Sequence, residues 1–373
     1  MQQLHSGDAR HGVVHARLLL GQCAFQQGRL DEADAIFREA LQQSRTHGGD
    51  DALPATARCL LARLECERGR YAEAADLLDG ALEFAETCDG WFDTLVAGYE
   101  TALTLARLND ASGRGVLRLL ERIDEVARRR KLARLADLSS AWRLHLMLDQ
   151  ADPASVVGLI ASTGAEPAFA HARSRAQHWR QVVTLGFALA RWHFLSGRGS
   201  AALPLLRAVE ADCTARGDEI NLARCRARLA LCLQQRGEIE AALPPLRNAL
   251  DFIARTRAWQ AIVDLGLPAK AMLRLARQHD PELGSGTTRA MTVQALLEKL
   301  QGDDNAGDET FSAREREVLA QLARGHSNKQ IARNLHLSEN TVKFHLKNLY
   351  KKLDADSRDA ALATAALRGV IRA

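Results

Sequence analysis

Eight prolines in 373 residues, seven cysteines without one C-x-x-C pair, and no apolar run approaching the ~18 to 20 residues that cross a bilayer set the first limits. With proline scarce and Ala, Leu and Arg abundant, long helices meet few breakers, so an all-α fold is expected. The odd cysteine count argues against a disulfide framework. Cys59 with Cys66 and Cys225 with Cys232 repeat at seven-residue spacing, which puts each pair on one helix face as small apolar core residues in a reducing compartment. The opening "MQQLHSGDARHGVV" has the pattern of neither a signal nor a transit peptide, so a cytoplasmic location without membrane attachment is expected.

The motifs of common chemistries are missing too. The chain contains no G-x-x-x-x-G-K-[ST] phosphate loop, no H-E-x-x-H, no G-x-S-x-G and no strand-borne G-x-G-x-x-G. "GHSNK" at Gly325 echoes a phosphate loop but lacks its spacing. No catalytic residue, cofactor or metal is therefore expected. Nor does an alternating strand and helix pattern with early paired aspartates precede the C-terminal segment, which argues against a response-regulator receiver domain.

What is present is repetition. "GRLDEADAIFREAL" from Gly28, "GRYAEAADLLDGAL" from Gly69, "GRGSAALPLLRAVE" from Gly197 and "GEIEAALPPLRNAL" from Gly237 each read as a glycine turn followed by an amphipathic helix. Weaker echoes begin at Gly113 and Asp152, so successive starts are 41, 44, 39, 45 and 40 residues apart. Another apolar-periodic helix precedes each phrase, as in "HARLLLGQCAFQQ" and "ARCLLARLECER". A helix, a turn and a helix at a steady period predict an α-solenoid of six hairpins from about residue 13 to 277, because each pair buries its stripe only against neighbours. The phrase G-R-x-x-E-A with a downstream A-L resembles the tetratricopeptide repeat. At about forty residues the period is closer to the sensor domain of maltose-activator-type bacterial regulators than to the usual ~34.

A solenoid has a concave wall lined mostly by the first helices, where a peptide, protein or small ligand can sit. The aromatics available for it are Trp91, Tyr99, Trp142, Trp179, Trp192 and Trp259, of which Tyr99, Trp142, Trp179 and Trp192 are the candidate ligand-binding residues. Arg143, His145, Gln177, Arg180 and His193 are their polar neighbours. Aromatics at helical spacing are more often core than ligand platform, and that alternative stays open.

The expected domains are a helical-repeat sensor over residues 1–300, a linker over 301–310 containing "GDDNAGDE", and a basic domain over 311–373. From Phe311 onward five Lys and seven Arg oppose six acids, a net +6, so the first 310 residues carry −2 of the total +4. This asymmetry suits a polyanion at the C-terminal end.

In that end, Ser312 with Glu315 forms a capping-box pattern and Gly325 ends the helix it starts. A second helix follows from about Asn328 to Leu335, then a short turn, then a third from Ser338. On a wheel of 100° per residue, Val342, Leu346, Leu349 and Leu353 fall within about 40° and predict a buried stripe. Asn340, Phe344, Lys347 and Lys351 lie opposite, flanked by Lys343. Two short helices joined so tightly cross steeply, and the second presents amines, an amide and a ring to whatever meets it.

The words S-x-R-E-x-E-V-L, G-x-S-N-K-x-I-A-x-x-L, S-x-x-T-V-K-x-H and K-L-x-x-x-S-R resemble, in order and spacing, the LuxR/NarL-type DNA-binding domain over about sixty residues. The resemblance implies that Lys343, Phe344 and Lys347 reach bases in the major groove. It implies that Asn328, Lys329, Ser338, Thr341 and His345 lie near phosphates. Phe344 departs from the smaller residue that the family often has, so the resemblance implies no base preference at that position. The fourth helix, about Arg358 to Arg368, matches the pairing helix of such domains, with Ala361, Leu362 and Ala365 as dimer contacts.

Two functional readings follow. In the first, the chain is a regulator of transcription whose solenoid senses a small-molecule or protein effector and whose C-terminal domain binds double-stranded promoter DNA as a homodimer. In the second, the solenoid is a protein-interaction scaffold that binds RNA polymerase or a regulatory partner and is localised to DNA by the same domain. Larger relatives with this layout commonly carry a nucleotide-driven switch, so the chain is either a short regulator or a fragment of a longer one.

Overall fold

The computed structural model describes residues 2–45, 52–87, 92–109, 113–148, 160, 164–175, 178–196, 198–300, 313–335, 339–353, 355 and 357–367. Every element among them is helical. The chain divides into two compact units, residues 1–236 with 244–261, and residues 237–243 with 262–373.

The first unit is built from helix pairs. They are α1 (Gln2–Gln26) with α2 (Leu30–Arg45), and α3 (Ala52–Glu67) with α4 (Tyr71–Leu78) and α5 (Ala81–Thr87), then α6 (Phe92–Asn109) with α7 (Arg114–Arg129). Next come α8 (Ala133–Met147) and α9 (Ala165–Arg173), α10 (Trp179–Leu195) with α11 (Gly199–Arg216), and α12 (Glu219–Gln235) with the greater part of α13 (Ile239–Thr256). The echo from Asp152 falls almost wholly outside the described residues. The second helix of the second pair is interrupted at Gly80, whose φ of 68° breaks the helical path.

The repeat phrase has a local cause. Gly28 adopts φ 71° and Gly69 φ 72°, a left-handed conformation that costs other residues energy. This places the Arg29 amide on the Ala24 carbonyl at 2.9 Å and the Arg70 amide on the Glu65 carbonyl at 2.9 Å, so the same closure ends both first helices. Five residues after the glycine stands an alanine, and Ala33, Ala74, Ala202 and Ala242 are all buried. Ala33, Ala74 and Ala202 are at most 1% exposed, so a larger side chain there would have to displace its neighbours. The phrase from Gly113 has Arg118 at that place, and Val116 takes the buried position instead.

Burial separates the two helix types. In α2 the buried residues Leu30, Ala33, Phe37 and Ala40 trace one stripe, whereas α3 is buried nearly all round because α2, α4 and α6 all pack on it. Each large side chain so buried stabilises the stack by about 1.5–3 kcal/mol. Cys59, Cys66, Cys225 and Cys232 are buried, in keeping with small core residues. Burial pushes the Cys213 thiol up to about 12 and raises the Cys225 thiol further, which suits inert thiols.

The stack curls back on itself. Tyr71 donates its hydroxyl to Gln260 Oε1 at 2.8 Å, and Arg224 Nη2 on α12 donates to Glu67 Oε1 at the end of α3 at 2.6 Å. A Cβ at Gly28 would stand 2.6 Å from the Phe252 ring, so the first turn abuts the sixth pair.

The second unit contains α14 (Gln260–Val263) in part, α15 (Leu267–His279) and α16 (Thr288–Lys299), then α17 (Ala313–Ala323), α18 (Asn328–Asn334), α19 (Glu339–Leu353) and α20 (Arg358–Leu367). The segment expected to be a linker, 301–310, lies outside the described residues.

Candidate nucleic-acid interface and interior cavity

The last four helices form one small core. Val318, Leu319 and Leu322 of α17, Ile331 and Ala332 of α18, and Val342, Leu346, Leu349 and Leu353 of α19 are buried together, with Leu335 packed against them. The stripe expected from the wheel is thus the face that α19 turns inward.

The turn before α18 is fixed by two devices. Gly325, at φ 82°, lets the His326 amide reach the Gln321 carbonyl at 3.3 Å and closes α17. Ser327 then caps α18: the Gln330 amide donates to its Oγ at 3.4 Å, while the Ser327 amide donates to Gln330 Oε1 at 2.8 Å. This box is legible in the sequence as S-x-x-Q from Ser327 to Gln330. Ser312 lies outside the described residues, as does the side chain of Glu315. Asn334 Nδ2 donates to Gln321 Oε1 at 2.9 Å, which ties the end of α18 to α17.

On α19 the buried stripe leaves the other side free of the core. Lys343 is exposed, and Thr341 and His345 are half-buried. Asn340, Phe344 and Lys347 lie on α19, but their side chains are outside the described residues, and Ser338 is outside them altogether. Asn328 begins α18 half-buried and Lys329 beside it is exposed.

The fourth helix requires a correction. Ala361 and Ala365 are 0% exposed and belong to the domain's own core, so neither is available to a second copy. Leu362 is half-buried against the same core. The apolar period of α20 is used up by packing within the domain.

The aromatic candidates of the first unit also divide. Tyr99 is 0% exposed, and its hydroxyl donates to Glu86 Oε1 at 2.8 Å. Burial, reinforced by Glu86, holds that phenol far above its ordinary range. Trp142 and Trp192 are buried in the two clusters that run along the stack. These three are core residues. Trp179 differs: it is half-buried and lines a partly open cavity of about 90 Å³ with Gln22, Phe25, Leu60, Arg63, Asp93 and Arg180. Of the polar neighbours, Arg143 pairs with Asp124 at 2.6 Å, His193 is buried, His145 is half-buried, and Gln177 lies outside the described residues. Arg180 alone among them lines this cavity.

Four helices around one core, the third with Lys343 exposed, define a helix-turn-helix domain. Residues 309–365 match the family described as bacterial regulatory proteins of the luxR family, and residues 14–87 match a tetratricopeptide-repeat model. The chain carries a LuxR-family helix-turn-helix domain at its C-terminus and tetratricopeptide repeats near its N-terminus. It is 56% identical over 55 residues to the probable transcriptional regulatory protein SgaR of Hyphomicrobium methylovorum, covering 15% of this chain and 26% of that protein. Over 112 residues it is 52% identical to the nitrate/nitrite response regulator protein NarP of Escherichia coli, covering 27% and 50%. Over 163 residues it is 24% identical to the HTH-type transcriptional regulator AlkS of Ectopseudomonas oleovorans, covering 41% of this chain and 18% of that one. The chain therefore spans half or less of these relatives' lengths.

Proposed function

We propose that the protein is a transcriptional regulator that binds double-stranded promoter DNA through α18 and α19, its helical-repeat unit sensing an effector. The observation that carries this reading is the exposed Lys343 flanking the buried stripe of α19, with Lys329 exposed at the start of the capped helix before it. Such a helix offers amines to guanine edges and phosphates while its core holds the angle of entry. Asn340, Phe344 and Lys347 continue the reading face, and Asn328, Ser338, Thr341 and His345 position it on the backbone. Residues 1–300 form the sensing part, 301–310 join it to the reader, and 311–373 are the reader.

Two copies bind paired half-sites about one helical turn apart. Pairing uses the face of α20 that includes Leu362 and the exposed Ala363 rather than Ala361 and Ala365. Effector binding changes the curvature or self-association of the repeats and so raises the effective concentration of the second reader. No helix among the described residues is long and apolar enough to cross a membrane, and a DNA partner suits a cytoplasmic protein.

The test is a pair of substitutions assayed on a randomised duplex pool and on random-sequence DNA across a salt series. Lys343→Ala relaxes preference at one base pair by about 1–3 kcal/mol, and Lys329→Ala weakens all sequences alike and lowers the salt slope by about one. Equal effects of both changes on selected and random duplexes would overturn the assignment.

A further inference from the structure

The partly open cavity beside Trp179 in the first unit has an uneven polar inventory. Arg63 on α3 and Arg180 on α10 both line it, with side chains 12% and 11% exposed. Each guanidinium has a carboxylate partner, Glu100 Oε2 at 3.1 Å from Arg63 and Asp93 Oδ1 at 2.9 Å from Arg180. Each also stacks on a ring of the cavity wall, Arg63 lying 4.8 Å from the centre of Phe25 and Arg180 4.2 Å from that of Trp179. Yet Arg180 Nε and Nη1 and Gln22 Nε2 are buried without a hydrogen-bond partner. All three are donors.

Two guanidiniums and the Gln22 amide stand in a lining whose one carboxylate is Asp93, and that excess of donors favours an acceptor that carries negative charge. Arg63 is held below the ordinary arginine range first by burial, a trend that Glu100 opposes and the nearby Arg180 charge reinforces. The two cations therefore repel one another, and an anion between them relieves that repulsion. Size narrows the choice further. A cavity of about 90 Å³ is smaller than the ~150 Å³ that admits benzene, which leaves room for a ligand of roughly four to six heavy atoms. Phe25, Leu60 and the Trp179 ring supply an apolar wall beside the donors.

We propose that this cavity binds a short-chain carboxylate of two to four carbons, its oxygens on Arg180 and Gln22 and its alkyl part against Phe25 and Leu60. As the seat of the effector, the site rests on the sensing role proposed above; as a binding site it does not. Ligand entry bears on the curl of the stack, because the cavity is lined by α1, α3 and α10 together with Asp93 of α6, and so joins pairs one, two, three and five.

The experiment is isothermal titration calorimetry on the full chain with sodium propionate, against sodium chloride and sodium phosphate at matched ionic strength. Propionate is expected to give a saturable one-site heat that the other salts do not. Arg180→Gln is expected to raise its Kd at least ten-fold. Gln22→Leu removes an unpartnered donor without breaking an ion pair, so it keeps the circular dichroism and melting temperature of the parent while raising Kd several-fold. Absence of saturable propionate binding, equal saturation by phosphate or chloride, or an unchanged Kd in folded Gln22→Leu would each overturn the site. DNA affinity measured alongside separates the two readings: propionate binding without DNA binding leaves the site standing and removes the regulator, and the reverse removes only the site.

Discussion

Removing the guanidinium of Arg358 tests how the DNA-reading domain is held together. Its Nη2 donates to the Leu322 carbonyl at 3.0 Å and to the His326 carbonyl at 3.0 Å, so one side chain at the start of α20 satisfies the end of α17 and the turn that launches α18. A hydrogen bond from a charged donor is worth about 1.5–3 kcal/mol, and a cation at a helix C-terminus adds about 0.3–1 kcal/mol. Because one nitrogen serves both carbonyls and the side chain is half-buried, we place the loss in Arg358→Met at about 2 kcal/mol rather than the sum. That is roughly a 30-fold rise in the local opening constant. Hydrogen-exchange mass spectrometry of the full chain is the assay, since it reports this domain separately from the repeats. Amides of α17 and α18 should lose protection by that factor, with Arg358→Lys intermediate. Protection within three-fold of the parent would show that these carbonyls are satisfied without Arg358, and the reasoning would fail.

Two further outcomes follow from burial. Leu349 is 0% exposed in the same core, so Leu349→Ala should cost about 2–5 kcal/mol and abolish binding to selected and random duplexes alike, while the far-ultraviolet signal of the repeats persists. His193 is held below the ordinary histidine range, first by burial and then by Arg198, against the pull of Glu166. The unfolded chain therefore takes up a proton that the folded one refuses, so this residue's contribution is complete above its unfolded pKa of about 6.5 and is lost as pH falls below that value. Thermal melts from pH 7.5 to pH 5 should fall less steeply for His193→Asn than for the parent, and parallel curves would contradict this.

The sequence showed the repeat turns and the inward stripe of α19 because both are local. A glycine with φ above zero and an alanine five residues later are features of one hairpin, and Val342, Leu346, Leu349 and Leu353 need only the helical period. The same reasoning leaves Tyr99, Trp142 and Trp192 undecided between groove and core. Spacing assigns a side chain to a face but does not say whether another helix covers that face, and here neighbouring pairs cover it. Ala361 and Ala365 failed as pairing residues for the same reason. Arg358 was visible within the quoted K-L-x-x-x-S-R, but its task depends on carbonyls 32 and 36 residues away. The donor array of the cavity was beyond reach, since it gathers side chains from helices far apart in the chain.

The contacts that return Arg224 and Gln260 to the second pair change what kind of object the repeat unit is. Arg224 meets Glu67 across 157 residues and Tyr71 meets Gln260 across 189. A ladder of repeats tolerates trimming from either end, because each rung leans on its neighbour alone. Here a cut at one terminus would strip the opposite one of its cover, so shortened versions should melt as a whole rather than rung by rung.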